Sequence, residues 1–264
     1  MTSEAWRVLA RNYARYDTPL RPNDATLTAI KSLIPTGDPL VVVLGATPIF
    51  GKLASRLWFV DAADEALQLV AHAAQQRTVH KNWLTAADEF AQADSVVGDG
   101  AINALKSPAV AEQLLRVLAA HRKPGSTLIQ RVFLRHELSP DTFREHLTEA
   151  FAARQFSAVR FLVYGVVADA SGLTAIADID RYIGELETHL RVARDVADAY
   201  KAAYFEWRGM SPAEAATITT QAFYPSRRQI EAQLAAAGLR VSIVSAGQFP
   251  LAEFTPLYVS AAAG

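Results

Sequence analysis

The stretch Leu40-Val41-Val42-Val43-Leu44-Gly45-Ala46-Thr47-Pro48 decides how this chain is read. Five unbroken aliphatic residues suit a strand buried on both faces, the mark of a parallel sheet covered by helices. The run stops at a glycine and, three residues on, a proline, so the backbone turns there. Working outward, Leu57-Trp58-Phe59-Val60 is a second strand ending at Asp61. Arg77 to Lys81 is a third, Ala93 to Val97 a fourth ending at Gly98-Asp99-Gly100, and Ser126 to Leu134 a fifth. Helical patterns lie around these runs at residues 4–16, with Trp6, Leu9, Ala10 and Tyr13 on one face, and at Asp24 to Leu33, Ala63 to Gln75 and Ser107 to Ala120. Strands alternating with helices predict βαβ units.

The pattern changes after the fifth strand. Residues 140–222 carry helical periodicity and few strand signals, with Pro140 opening one helix and Ile176 to Arg208 reading as a long one. Arg227 to Ala237 is a further helix closed by Gly238. Leu239 to Val244 and Phe254 to Val259 are two closing strands whose short connection favours an antiparallel pair. The expected architecture is α/β: a Rossmann-like seven-stranded sheet, mostly parallel, with an antiparallel C-terminal hairpin, helices on both faces and a helical cap insertion. One domain is expected over 1–264. It comprises an N-terminal helical segment 1–37, a binding core 38–139, the cap 140–222, and the last helix and closing strands 223–264.

Composition narrows the function. With 264 residues, 51% of them hydrophobic and 20% charged, the chain can bury an ordinary core without staples. Lys+Arg 26 against Asp+Glu 27 gives a net charge of -1, which argues against nucleic acid as partner. The absence of cysteine excludes disulfides, thiolate metal sites and a cysteine nucleophile. No metal-ligand spacing stands out among the histidines. The first residues show no apolar leader and no run approaches a membrane span, so a cytoplasmic protein without a membrane partner is expected.

In an open parallel sheet, ligands bind beyond the carboxyl ends of the strands, where strand order reverses. Gly45, Asp61 and Asp99 with Gly100 stand at three such ends. A pyrophosphate wants Gly-x-Gly-x-x-Gly so that the backbone can approach the phosphates. Here the second glycine position is Thr47, followed by Pro48, which offers no N–H. A nicotinamide dinucleotide is therefore disfavoured, and an adenosyl group without pyrophosphate is preferred.

At this point the chain resembles the class I S-adenosylmethionine-dependent methyltransferases, over residues 38–134 and in the closing pattern 226–260. The residues that carry the resemblance are Val41-Val42-Val43-Leu44-Gly45-Ala46-Thr47-Pro48, Trp58-Phe59-Val60-Asp61-Ala62, Lys81-Asn82-Trp83-Leu84, Ser95-Val96-Val97-Gly98-Asp99-Gly100-Ala101-Ile102-Asn103 and the turn Lys123-Pro124-Gly125-Ser126-Thr127-Leu128. The first motif departs from the family, because Ala46, Thr47 and Pro48 replace most of its glycines. The resemblance implies S-adenosyl-L-methionine as cofactor and methyl transfer to an O, N or S atom of a small-molecule acceptor. It implies that Gly45 lies close to the cofactor with Ala46, that Thr47 reaches its amino acid end, and that Asp61 binds the ribose hydroxyls with Ala62 beneath the adenine. Asn82 and Trp83 would meet the adenine, and Gly98, Asp99 and Gly100 would border the methionine portion. The alternative function is a degenerate methyltransferase fold acting as a non-catalytic binding or scaffold protein.

Methyl transfer is mainly a matter of positioning, and a base is needed only where the acceptor must lose a proton early. Among the histidines His136, just after the fifth strand, is the best-placed catalytic candidate. Acceptor contacts are expected from Tyr13 and Arg21 in the N-terminal segment, from Asn103 and Arg131, and from Trp207, Tyr224 and Arg227 in or after the cap. Aromatics interleaved with arginines suit a flat or anionic molecule. Arg131, an arginine within an apolar strand, needs a partner, either a substrate carboxylate or an internal acid. The cap reads as a lid over the site, with a homodimer interface on its apolar faces as the alternative.

Overall fold

The computed structural model describes residues 13–70, 76–218 and 220–261. Most of the expected helix at 4–16, with Trp6, Leu9 and Ala10, and the end of the one at 63–75 lie outside the described residues. Five parallel strands form where the aliphatic runs predict them: β1 Leu40–Leu44, β2 Arg56–Asp61, β3 Gln76–His80, β4 Ser95–Asp99 and β5 Thr127–Arg131. Two short strands follow, β6 Leu173–Ala175 and β7 Gln221–Phe223, and the chain closes with β8 Ser242–Val244 and β9 Leu257–Ala261. The main sheet runs β3-β2-β1-β4-β5-β9-β8, with β9 antiparallel to β5 and to β8.

The reasons are local. Every residue of β1 is buried, as an unbroken aliphatic run at the sheet centre requires. Ser107 and Ser139 each cap a helix that opens on a proline, at Pro108 and Pro140, whose missing N–H costs nothing there. Ser226 and Gln229 form a reciprocal capping box at the start of Arg227–Ala236. Two apolar clusters cover the sheet, one containing Val42, Phe90 and Leu114, the other Val43, Phe50 and Ile129. A third cluster, with Leu147, Val159, Ile183 and Tyr204, belongs mainly to the helices between β5 and β7. No helix among the described residues is long and apolar enough to cross a membrane.

Three expectations are corrected. The long helix expected over Ile176 to Arg208 is three pieces: Ile176–Gly184, Leu186–His189 and Arg194–Arg208. The first ends at Gly184, a poor helix former, and the chain then bends so that Leu186 and Leu190 both enter the helical core. The region read as helical with few strand signals contains β6 and the start of β7, which pair antiparallel through three residue pairs. Strand β5 ends at Arg131 rather than Leu134, although Val132 and Leu134 still donate to the carbonyls of Pro256 and Phe254.

Candidate functional site

Strand order reverses between β1 and β4, and two cavities adjoin there at the carboxyl ends of the strands. The first, of about 180 Å³, is bordered by Gly45, Ala46, Thr47, Asp99 and Gly100 from the sheet and by Arg160, Tyr164 and Tyr224 from the elements that follow β5. The second, of about 380 Å³, is bordered by Asp61, Ala62, Asp64, Glu65, His80 and Asn82. Trp83 and Ala104 line both, so the two are chambers of one cleft.

The wall between the chambers is built from close backbone contacts. Gly45 takes φ +91°, a conformation that disfavours any side chain, and its N–H donates to the Val60 carbonyl at 2.9 Å. The Trp83 indole N–H donates to the same carbonyl at 2.6 Å, which fixes the ring plane beside Gly45. A Cβ at Gly45 would lie 3.7 Å from Asp61 Oδ2 and 3.8 Å from the Trp83 ring. The connection from β1 to β2 has room only for the 3-10 turn Pro48–Lys52, opened by the proline that the first motif carries in place of glycine.

Asp61 is 3% exposed. Its Oδ1 accepts from the Ala63 N–H at 2.8 Å, whereas Oδ2 is buried without a hydrogen-bond partner. Burial pushes its pKa up from 3.8 to about 6, against the backbone N–H groups of Ala63 and Ala62, which favour the carboxylate. A buried carboxylate oxygen lacking a donor is the kind of atom a ligand hydroxyl satisfies. Asn82 stands beyond it, its Oδ1 occupied in capping the turn Trp83–Thr85 through the Leu84 N–H.

Asp99 and Arg131 are register partners on β4 and β5. Arg131 Nε donates to Asp99 Oδ1 at 2.5 Å, and the Thr47 hydroxyl lies 3.4 Å from Oδ2. Burial pushes the Asp99 carboxyl up, with the Arg131 charge acting the other way. Arg131 is fully buried, sits over the Phe133 ring and has an Nη1 without a partner. Of the two partners expected for this arginine, the structure places the internal acid beside it.

The side of the cleft opposite the sheet is closed by a polar cluster whose Arg160, Tyr164 and Asp180 the sequence reasoning missed. In the helix Phe156–Val167, Arg160 donates through Nε to the Tyr164 hydroxyl at 3.1 Å, and through Nη1 to Asp180 at 2.9 Å and the Tyr204 hydroxyl at 2.7 Å. Arg208 reaches the same Asp180 carboxylate at 3.1 and 3.3 Å. The signal was available: Arg160 interrupts an otherwise apolar helix much as Arg131 interrupts β5, and a buried guanidinium demands partners.

Of the acceptor residues expected from the sequence, Tyr13, Asn103 and Tyr224 border the first chamber. Asn103 is nonetheless employed structurally. Its amide donates to the carbonyls of Phe133 at 2.7 Å and Phe223 at 2.8 Å and accepts from the Phe133 N–H at 2.9 Å, tying the loop after β4 to the segment after β5 and to β7. The others lie on neither chamber's wall. Arg21 packs over the Tyr13 ring, Trp207 donates to the Arg15 carbonyl and abuts Tyr16, and Arg227 reaches the Glu253 carbonyl. His136 is buried, hydrogen-bonded to the Leu162 carbonyl and stacked on Phe143, and burial lowers its pKa. It clamps the segment after β5 to the helix Phe156–Val167. Gly98 lies on neither wall; it packs against the Gln130 amide across the strand pair, which a Cβ there would meet. Among the described residues no group of three or more His, Asp or Glu side chains is placed to hold a metal ion.

No family model matches the chain, and no curated protein matches it in sequence. Solved structures do match in fold. A Methanosarcina mazei S-adenosylmethionine-dependent methyltransferase is similar with a TM-score of 0.53 at 12% identity, over 89% of this chain and 97% of its own. The CcbJ methyltransferase of Streptomyces caelestis is similar with a TM-score of 0.54 at 11% identity, over 97% and 96%. A Rhodobacter sphaeroides chain solved under the name of a Zn-dependent alcohol dehydrogenase shares the fold with a TM-score of 0.56 at 16% identity, over 99% and 98%. With the strand order, the reversed final strand and these methyltransferase neighbours taken together, the chain has the class I S-adenosylmethionine-dependent methyltransferase fold.

Proposed function

We propose that the protein transfers a methyl group from S-adenosylmethionine to an O, N or S atom of a small-molecule acceptor. The observation that carries this reading is the buried, partnerless Oδ2 of Asp61, a residue that borders the second chamber and stands beside Gly45. The residues present fit an adenosyl group. Asp61 would accept from the ribose hydroxyls, Asn82 and Trp83 would flank the adenine, and Thr47 and Asp99 would meet the amino acid end. The same chamber carries the carboxylates of Asp61, Asp64 and Glu65, which disfavour a phosphate on the ribose. Bound there, S-adenosylmethionine supplies an electrophilic methyl group.

The chain's own contribution is placement and exclusion of water. The elements between β5 and β7 roof the first chamber, so an acceptor meets the cofactor between Gly45 and Tyr224 rather than in bulk solvent. The phenol of Tyr224 is held neutral by burial, with Tyr164 beside it, so it acts as wall and dipole rather than as a base. Titration calorimetry with S-adenosylmethionine, S-adenosylhomocysteine and NAD tests the reading. Binding of the two sulfur nucleosides without NAD is expected, and binding of neither sinks it.

A further inference from the structure

The wall of the first chamber contributed by Phe156–Val167 holds a buried charge, that of Arg160. Arg160 is 3% exposed, and a guanidinium taken so far from water is costly unless its donors and its charge are met. Its Nε and Nη1 are used within the cluster, while Nη2 makes no hydrogen bond among the described residues and the side chain borders the chamber. Asp180, the carboxylate it touches, is divided between Arg160 and Arg208. Although burial opposes ionisation, the two guanidiniums hold the Asp180 carboxyl below its usual range, so it stays charged. Tyr204 is held neutral by burial and contributes a dipole rather than a charge. Stacked rings of Tyr164 and Tyr224, 4.0 Å between centroids, give the same chamber a flat aromatic wall.

We propose that Arg160 is the anion-recognising residue of this chamber and that the acceptor is a small aromatic carboxylate, its ring on the Tyr164–Tyr224 wall and its carboxylate on Arg160. The proposal rests on the reading above, which makes this chamber the acceptor side of the cleft.

The test is calorimetry on the full chain with benzoate and with its neutral isostere benzamide, each with and without S-adenosylhomocysteine. Benzoate is expected to bind with a millimolar Kd and benzamide about tenfold more weakly or worse. Arg160→Gln should bring benzoate down to the benzamide level while shifting S-adenosylhomocysteine affinity by less than about threefold. Arg160→Lys, which keeps the charge but loses the planar fork, should fall between the two and guards against a folding defect in the glutamine variant. Equal binding of benzamide and benzoate to the parent overturns the proposal. So does the absence of benzoate binding up to about 10 mM. Loss of S-adenosylhomocysteine but not methylthioadenosine binding in Arg160→Gln would place Arg160 on the amino acid carboxylate instead, and also overturns it. If S-adenosylhomocysteine does not bind, yet benzoate still outcompetes benzamide in an Arg160-dependent way, the anion site stands and only the methyltransferase reading fails.

Discussion

Asp61 carries a measurable cost at the residue scale. Folding takes its carboxyl from a pKa of 3.8 to about 6 because burial disfavours the charge. Between those values the folded chain binds a proton that the unfolded chain does not. Stability therefore rises as pH falls through 6, the gain is complete below about 4, and the penalty is fully present above 6. Two units correspond to about 3 kcal/mol. Asp61→Asn is accordingly expected to be more stable than the parent at pH 8 by up to about 3 kcal/mol, with the difference vanishing at pH 4. Denaturant unfolding across that range checks it, and an unchanged difference between pH 4 and 8 refutes it. Affinity runs the other way. A neutral group is a poorer partner for ribose hydroxyls, so S-adenosylhomocysteine should bind the variant about tenfold more weakly, and bind the parent more weakly as pH drops through 6.

At the scale of elements, the helices after β5 are joined to one another through Asp180. It lies in Ile176–Gly184 and bonds Arg160 in Phe156–Val167 and Arg208 in Arg194–Arg208, so three helices meet at one carboxylate. Removing its charge leaves two guanidiniums facing each other in a buried space. Asp180→Asn should cost about 3–5 kcal/mol, whereas Arg160→Gln, which keeps Asp180 bonded to Arg208, should cost distinctly less. Midpoints of chemical unfolding decide this. Equal losses would mean that the cluster is not electrostatically coupled. Asn103 plays a comparable joining role between the loop after β4, the segment after β5 and β7, which is why a residue on the chamber wall is also a structural one.

The whole molecule has two kinds of core. The sheet is sealed on both faces by its own apolar clusters, and the helices between β5 and β7 have a third, with aromatic contacts such as Phe151 on Tyr200 at 5.0 Å. A body with its own core can open as a unit. Native-state hydrogen exchange is expected to show the amides of Phe156–Val167 and Arg194–Arg208 exchanging together, at lower free energy than those of β1, β4 and β5. S-adenosylhomocysteine should slow exchange at the ends of β1, β2 and β4, and benzoate should slow it in Phe156–Val167. Exchange of every core amide at one common free energy would show that these helices do not open separately from the sheet.

Periodicity and end signals determined the sheet. An aliphatic run such as Val41-Val42-Val43 has few ways to escape water other than the centre of a covered sheet, and Ser107-Pro108 or Ser226 with Gln229 marks a helix start by local hydrogen bonding alone. Strand ends were legible for the same reason, which put Gly45, Asp61 and Asp99 near one another before any coordinates. Only the tertiary structure decided what lay opposite them. The break at Gly184 follows from where Leu186 and Leu190 find a core, and β6 and β7 exist because two three-residue segments far apart in the chain happen to pair. Arg131 and Arg160 look alike in sequence, each a lone arginine among apolar residues. One is turned against Asp99 beneath the chamber and the other is left on its wall, because partners for a buried charge come from distant segments that no local pattern encodes.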